Sequence, residues 1–154
     1  MGNSIDLEEV KNYVNENIDD FHERRLLIIS ELTLDRLTSK NPYLLRAKNL
    51  TKASDVIEQT LEAFLSSSEE KLFGDFLEDL AIFIASKAVG GRKSTAPGMD
   101  LEFEANGTYY IVSIKSGTNW GNSSQHAKLA SDFLRAERTL RQSAHVRNVS
   151  KILG

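Results

Sequence analysis

Asp100, Ser113 and Lys115 are the residues whose types and spacing could do chemistry in this chain. They flank an Asn106-Gly107 pair that separates Leu101-Glu102-Phe103-Glu104 from Tyr109-Tyr110-Ile111-Val112. Asn-Gly between alternating runs signals a β-hairpin, because both turn positions need φ > 0. A two-residue turn fixes the register. It sets Ala105 opposite Thr108, Glu104 opposite Tyr109 and Asp100 opposite Ser113. Side chains alternate along a strand, so Lys115 shares the face of Ser113. A carboxylate and a lysine converging there would suit metal-dependent hydrolysis of a phosphodiester. The competing reading is a solvated cross-strand pair worth roughly 0.2–1 kcal/mol.

Such hydrolysis needs a hard divalent cation, a positioned water and stabilisation of the charged phosphorane. Magnesium takes one or two carboxylates, with water and substrate oxygens completing its shell. It polarises the phosphoryl group and acidifies bound water. Asp100 is the expected metal ligand, and the carbonyl of Ile114 could add an oxygen. Lys115 would orient the attacking water, and Ser113 would orient groups within the site. The second carboxylate is expected from Glu78. It lies in a seam of small residues, Gly74, Ala81 and Ala85, on a helix with the apolar run Leu80–Ala85. A buried charge needs a partner or a metal; partial exposure at the helix edge is the other reading. Glu102, on the Asp100 face, competes for the same role.

Two loops and a helix face could meet a nucleic acid. Arg92, Lys93 and Ser94 follow Gly90-Gly91 and could offer cations and N–H groups to phosphates, or simply form a helix cap and surface loop. Asn119, Trp120, Asn122, Ser123 and Gln125 lie just beyond Lys115. Asn and Gln can read adenine edges and Trp can wedge or stack. An ordinary connection with a buried Trp120 fits the same residues. Lys128, Arg135 and Arg138 form a basic face that lies along phosphates or faces water.

Helices must position these residues. Ile5 to about Lys40 is helical in pattern, as two helices, ending at Asn41-Pro42. Thr51 or Ser54 could cap a helix to about Leu65. Ser67 with Glu70 fits a capping box for a separate helix to about Ala88, stopped by Gly90-Gly91. The apolar run within it predicts a central, buried helix. Ser123 or Ser124 could cap a helix to about Ala144 with the stripe Leu129, Phe133, Ala136 and Leu140. Val146–Leu153 would begin another strand. The order predicts an α/β (α+β) three-layer domain. Residues 1–65 form an N-terminal helical segment and 66–154 the core. With two clear strands the sheet is unfinished at Gly154, since three or more are normally needed.

The composition of the 154 residues, 40% hydrophobic and 27% charged, is that of a globular protein. Neither a long apolar run nor a signal-peptide pattern is present, which makes the cytoplasm the expected compartment. With no cysteine, thiolate chemistry is excluded, and three scattered histidines argue against zinc. The net charge of −3 is uneven: residues 1–86 carry 9 Lys/Arg against 17 Asp/Glu, and residues 87–154 carry 10 against 5. The basic half suits a polyanion, or merely differently solvated helix faces.

Gly74-x-x-x-Glu78, Gly98-x-Asp100 and Ser113-Ile114-Lys115 resemble the PD-(D/E)XK nuclease core. More narrowly, Lys40–Leu44, Ser66–Ala85 and Val112–Gln125 resemble PmeII-type type II restriction endonucleases. The resemblance covers about residues 20–145. It implies a three-layer restriction-endonuclease-like core with a mixed sheet containing the 99–115 hairpin, and Mg²⁺-dependent, site-specific cleavage of double-stranded DNA. It further implies a homodimer and a cognate DNA methyltransferase. Ser113 stands where the superfamily usually has an acidic ligand; swapped-carboxylate variants imply Glu78 as its replacement. The resemblance also implies further strand and helix beyond the position of Gly154. Readings from other classes are a non-cleaving DNA-binding or assembly module, and a helical interaction domain with residues 1–65 as its surface.

Overall fold

Four strands form one mixed sheet in the order β1-β2-β3-β4: β1 (Arg92–Lys93), β2 (Leu101–Ala105), β3 (Thr108–Ser113) and β4 (Val149–Leu153). The computed structural model describes residues 4–33, 35, 42–117, 120–143, 146 and 148–154. Its helices are α1 (Leu7–Ser30), α2 (Pro42–Ala47), α3 (Ala53–Val89) and α4 (Ser123–Ser143). The expected second helix before Lys40 falls largely outside the described residues.

The hairpin forms as its turn requires. Asn106 (φ 52°) and Gly107 (φ 72°) both adopt the left-handed region. The ladder runs from Ala105–Thr108 to Leu101–Val112 in the expected register. Asp100 departs from it. Its N–H donates to the Val112 carbonyl at 2.9 Å, although Leu101 is already the partner of Val112. Two residues thus meet one, a bulge that ends the pairing and re-aims a side chain. β1 adds an antiparallel edge, and β4 pairs with β3 in parallel. A parallel pair needs a crossover, which α4 supplies.

Alternation sends the hairpin residues to two cores. On one face Ile111, fully buried, packs with Met99, Phe133, Ala136 and Leu140, so α4 covers this side with its expected stripe. Burying Ile111 stabilises the fold by about 1.5–3 kcal/mol. On the other face Leu101 and Val112 pack on Ala85, with Ile82, Phe103, Ile114 and Ile152 around them. The C-terminal part of α3 therefore covers this side, and the three-layer α+β expectation holds.

α3 differs from expectation in two ways. It runs unbroken from Ala53 to Val89, without a new start at Ser67. The flanking Leu, Glu and Lys residues are strong helix formers, and three serines do not outweigh them. Within Leu80–Ala85 only Ala85 is fully buried. Phe83 stacks on Tyr13 of α1 with ring centroids 4.2 Å apart, and Lys87 pairs with Glu9 at 3.1 Å.

By internal contacts the chain divides into residues 1–16 with 74–154, and residues 17–73; the boundary expected after residue 65 falls inside α3. The first unit holds the sheet. In the second, Phe21 meets Phe73 edge-on, Arg25 pairs with Glu69, and Thr60 is buried. Among the described residues no helix is long and apolar enough to cross a membrane.

Candidate active site

The bulge before β2 and the end of β3 bring the sequence-singled residues together. The Asp100 carboxylate, 19% exposed, receives every described contact on one oxygen. Oδ2 accepts the Ile114 N–H at 2.6 Å and the Ser113 hydroxyl at 3.2 Å, and the Lys115 ammonium stands 3.6 Å away. The same ammonium donates to the Ile114 carbonyl at 3.0 Å. β4 fixes this strand end: the Lys115 N–H donates to the Gly154 carbonyl, and the Gly154 N–H to the Ser113 carbonyl, each at 2.9 Å.

Asp100, Ser113 and Lys115 open onto a cleft of about 360 Å³, walled further by Gly98, Trp120, Gln125, Lys128, Leu129 and Asp132. Trp120 meets His126 edge-on, with ring centroids 4.9 Å apart. Asn122, rather than Ser123 or Ser124, caps α4. Its Oδ1 accepts the Gln125 N–H at 2.9 Å, while Gln125 Oε1 accepts the N–H groups of Asn122 and Gly121 at 3.0 Å. This reciprocal capping box seats α4 beside the cleft. The acceptor oxygens of Asn122 and Gln125 are therefore engaged within the chain. Ser123 is exposed on the first turn. Asn119 and His145 lie outside the described residues.

Glu78 does not line the cleft. It is 26% exposed and pairs with Lys93 at 3.3 Å. That pairing raises the Lys93 pKa, chiefly through the hydrogen bond to Glu78. The small-residue seam does approach the end of β3: a Cβ on Gly74 would lie 3.3 Å from the Ser116 hydroxyl.

Glu102 is a structural acid. It is 1% exposed and accepts from Arg92 Nε at 2.9 Å, the Ser94 hydroxyl at 3.0 Å and the Thr95 N–H at 3.3 Å. Arg92 also donates to the Tyr109 hydroxyl at 3.0 Å. Burial raises the carboxyl pKa, but hydrogen bonds from Tyr109, Arg92, Ser94 and Thr95 outweigh it and hold the group below its ordinary value. Glu102 thus lies outside the Asp100 cleft. It also engages Arg92 and Ser94, two of the three loop residues expected to meet phosphates.

Sequence reasoning missed Asp132, and it named Gly98 only within the Gly98-x-Asp100 motif. Asp132 is the lone acid between Glu104 and Glu137, next to the apolar stripe of α4. That isolation in the basic half was the available signal. Gly98 has φ 85°, and a Cβ there would lie 2.9 Å from the Asp132 carboxyl.

The family model described as type II restriction endonuclease EcoO109I matches residues 8–154, nearly the whole chain. The chain belongs to this family. EcoO109I-family membership makes it a restriction endonuclease, a hydrolase of the class that cleaves DNA at specific sites. The narrower PmeII-type likeness rests on the sequence strings alone. No curated protein and no solved structure matches the chain.

The donors of the cleft are hard oxygens, the kind magnesium selects. Among the described residues no three of His, Cys, Asp and Glu stand close enough to hold an ion. Magnesium does not require three, since it keeps several waters. The described residues direct no hydrogen bond at Asp100 Oδ1, and the cleft has room for water, so the residues fit the ion.

Proposed function

We propose that the Asp100 cleft is the magnesium-dependent site at which this endonuclease cuts double-stranded DNA. The observation that carries the reading is the convergence of the Ile114 N–H, Ser113 hydroxyl and Lys115 ammonium on one Asp100 oxygen in an open cleft. Asp100 would hold the metal through its other oxygen, with the Ile114 carbonyl as a further donor once Lys115 turns to water. Bound magnesium would polarise the phosphoryl group and lower the pKa of water. Lys115, 34% exposed, can swing from Asp100 to orient the attacking water and meet the charge that develops on phosphorus. Ser113 keeps the Asp100 carboxylate aimed. Lys128 can lie along the phosphates and Trp120 can meet a base at the rim. Lys93 reaches DNA only by leaving Glu78, and Arg92 and Ser94 only by leaving Glu102. Glu78 serves as second carboxylate only if Lys93 releases it.

A two-fold homodimer in the cytoplasm, beside a cognate methyltransferase, completes the reading, because a symmetric DNA site is cut most simply by a symmetric enzyme. The test is digestion of phage DNA with Mg²⁺. Wild type gives discrete bands, and Asp100→Ala and Lys115→Ala give none. Equal band patterns from all three proteins would sink the assignment. DNA binding without cleavage, unaffected by EDTA, would favour the non-cleaving module.

A further inference from the structure

We propose that Asp132 of α4 is the second carboxylate facing the metal, in place of the acid that Ser113 does not supply; this rests on the reading of the Asp100 cleft given above. Ser113 is fully buried beside Asp100, so β3 brings a neutral hydroxyl where a second charge is wanted. α4 crosses the same face of the sheet, held there by Phe133, Ala136 and Leu140. Asp132 precedes Phe133, and this position aims it at the cleft that Asp100 and Lys115 line.

The carboxylate is held, yet not used up. It is 14% exposed, and Arg135 pairs with Oδ1 at 2.6 Å. Its Oδ2 lies against Gly98, at the point where any Cβ would come within 2.9 Å of it. Gly98 therefore does two things: it takes a left-handed φ, and it vacates the space the carboxyl occupies. The segment carrying Asp100 and the helix carrying Asp132 approach as closely as they do because residue 98 has no side chain. Each acid thus has one oxygen fixed by the protein, by Ile114 for Asp100 and by Arg135 for Asp132. Glu78, by contrast, is engaged by Lys93 and absent from the cleft wall.

The test uses Tb³⁺ as the probe ion, with emission excited through Trp120. That residue is the only tryptophan and lines the cleft, so the signal reports this site without any cleavage assay. Wild type should give saturable emission that Mg²⁺ displaces. Asp132→Asn should weaken Tb³⁺ by at least about tenfold, the lower bound for losing even an outer-shell partner. Glu78→Gln should titrate as wild type. Asp132→Asn binding like wild type overturns the proposal, as does loss in Glu78→Gln alone. Asp100→Asn separates the two readings. If it keeps Tb³⁺, the cleft assignment itself fails; if it loses Tb³⁺ while Asp132→Asn does not, only the Asp132 role fails. A measurement on the unmutated chain guards against misfolded variants: trace Mn²⁺ should broaden the amide signals of Asp100 and Asp132 together. Broadening that spares Asp132 overturns the proposal.

Discussion

Two acids separated by one residue meet opposite fates. Glu102 is sealed, with Arg92, Ser94 and Thr95 satisfying both its oxygens. Asp100 is held by one oxygen at the edge of an open cleft. Both are carboxylates on the same arm of the hairpin, Glu102 within β2 and Asp100 on the bulge that precedes it. What distinguishes them is whether the surrounding donors exhaust the carboxylate. A saturated acid stabilises a fold, whereas a half-saturated acid on a rigid strand end is ready for a further ligand.

The sharpest way to break this contrast is to remove each acid in turn. Asp100→Ala should lower the cleavage rate by about 10³-fold or more, since a bound metal supplies several kcal/mol of transition-state stabilisation. It should also cost about 1–3 kcal/mol of stability, because the Ile114 N–H and the buried Ser113 hydroxyl lose their acceptor. Glu102→Ala should differ in sparing the chemistry. It leaves buried donors unsatisfied and should cost about 2–3 kcal/mol of stability in denaturant titration, with cleavage per folded molecule retained. Exchanged phenotypes would overturn the division of labour.

Gly98→Ala comes next. A left-handed φ and a Cβ against Asp132 should together cost about 1–3 kcal/mol, measured by thermal melting. Cleavage should fall with it, because relief of the clash moves Asp132 or the chain leading to Asp100.

Acid titration sharpens the contrast further. Glu102 sits below the ordinary glutamate value of about 4.3, so the folded state binds fewer protons than the unfolded state near that pH. Its stabilisation is complete above that value and disappears as pH falls through the lowered folded-state pKa. Wild type should therefore lose melting temperature more steeply below about pH 4 than Glu102→Gln, which has no carboxyl there to titrate. Equal slopes would mean that Glu102 is not held in its charged form.

The smallest effect expected is that of Ser113→Ala. It removes one of two hydrogen bonds to Asp100 Oδ2 and should cost about 0.5–1.5 kcal/mol, with a modest fall in cleavage. A loss as large as that of Asp100→Ala would make Ser113 a direct participant.

The features legible in the sequence are those that local chemistry dictates. Asn106-Gly107 forced the turn, its register followed, and the stripe from Leu129 to Leu140 marked the face of α4 that meets the sheet. Ser113 and Lys115 were placed by counting along the hairpin, whereas Asp100 leaves the counted register at the bulge and still reaches Ser113 through its side chain. Glu102 was misjudged as a rival ligand because its partners arrive on β1, a two-residue strand with no periodicity to read. Asp132 was invisible for a related reason. Its neighbours Gly98 and Asp100 are more than thirty residues away and meet it only after α4 docks. The unbroken α3 was missed because Ser67–Glu70 satisfies a capping pattern that helix propensity on either side overrides.

The tie between Gly154 and the Lys115 backbone has a temporal consequence. The hairpin can close as soon as residues 100–113 emerge during synthesis, but β4 lies beyond a crossover of some three dozen residues. A nascent chain therefore carries its aspartate and lysine long before the second anchor of their strand exists. The proposed Asp100 cleft therefore gains this anchor of its Lys115 wall only once β4 has paired with β3.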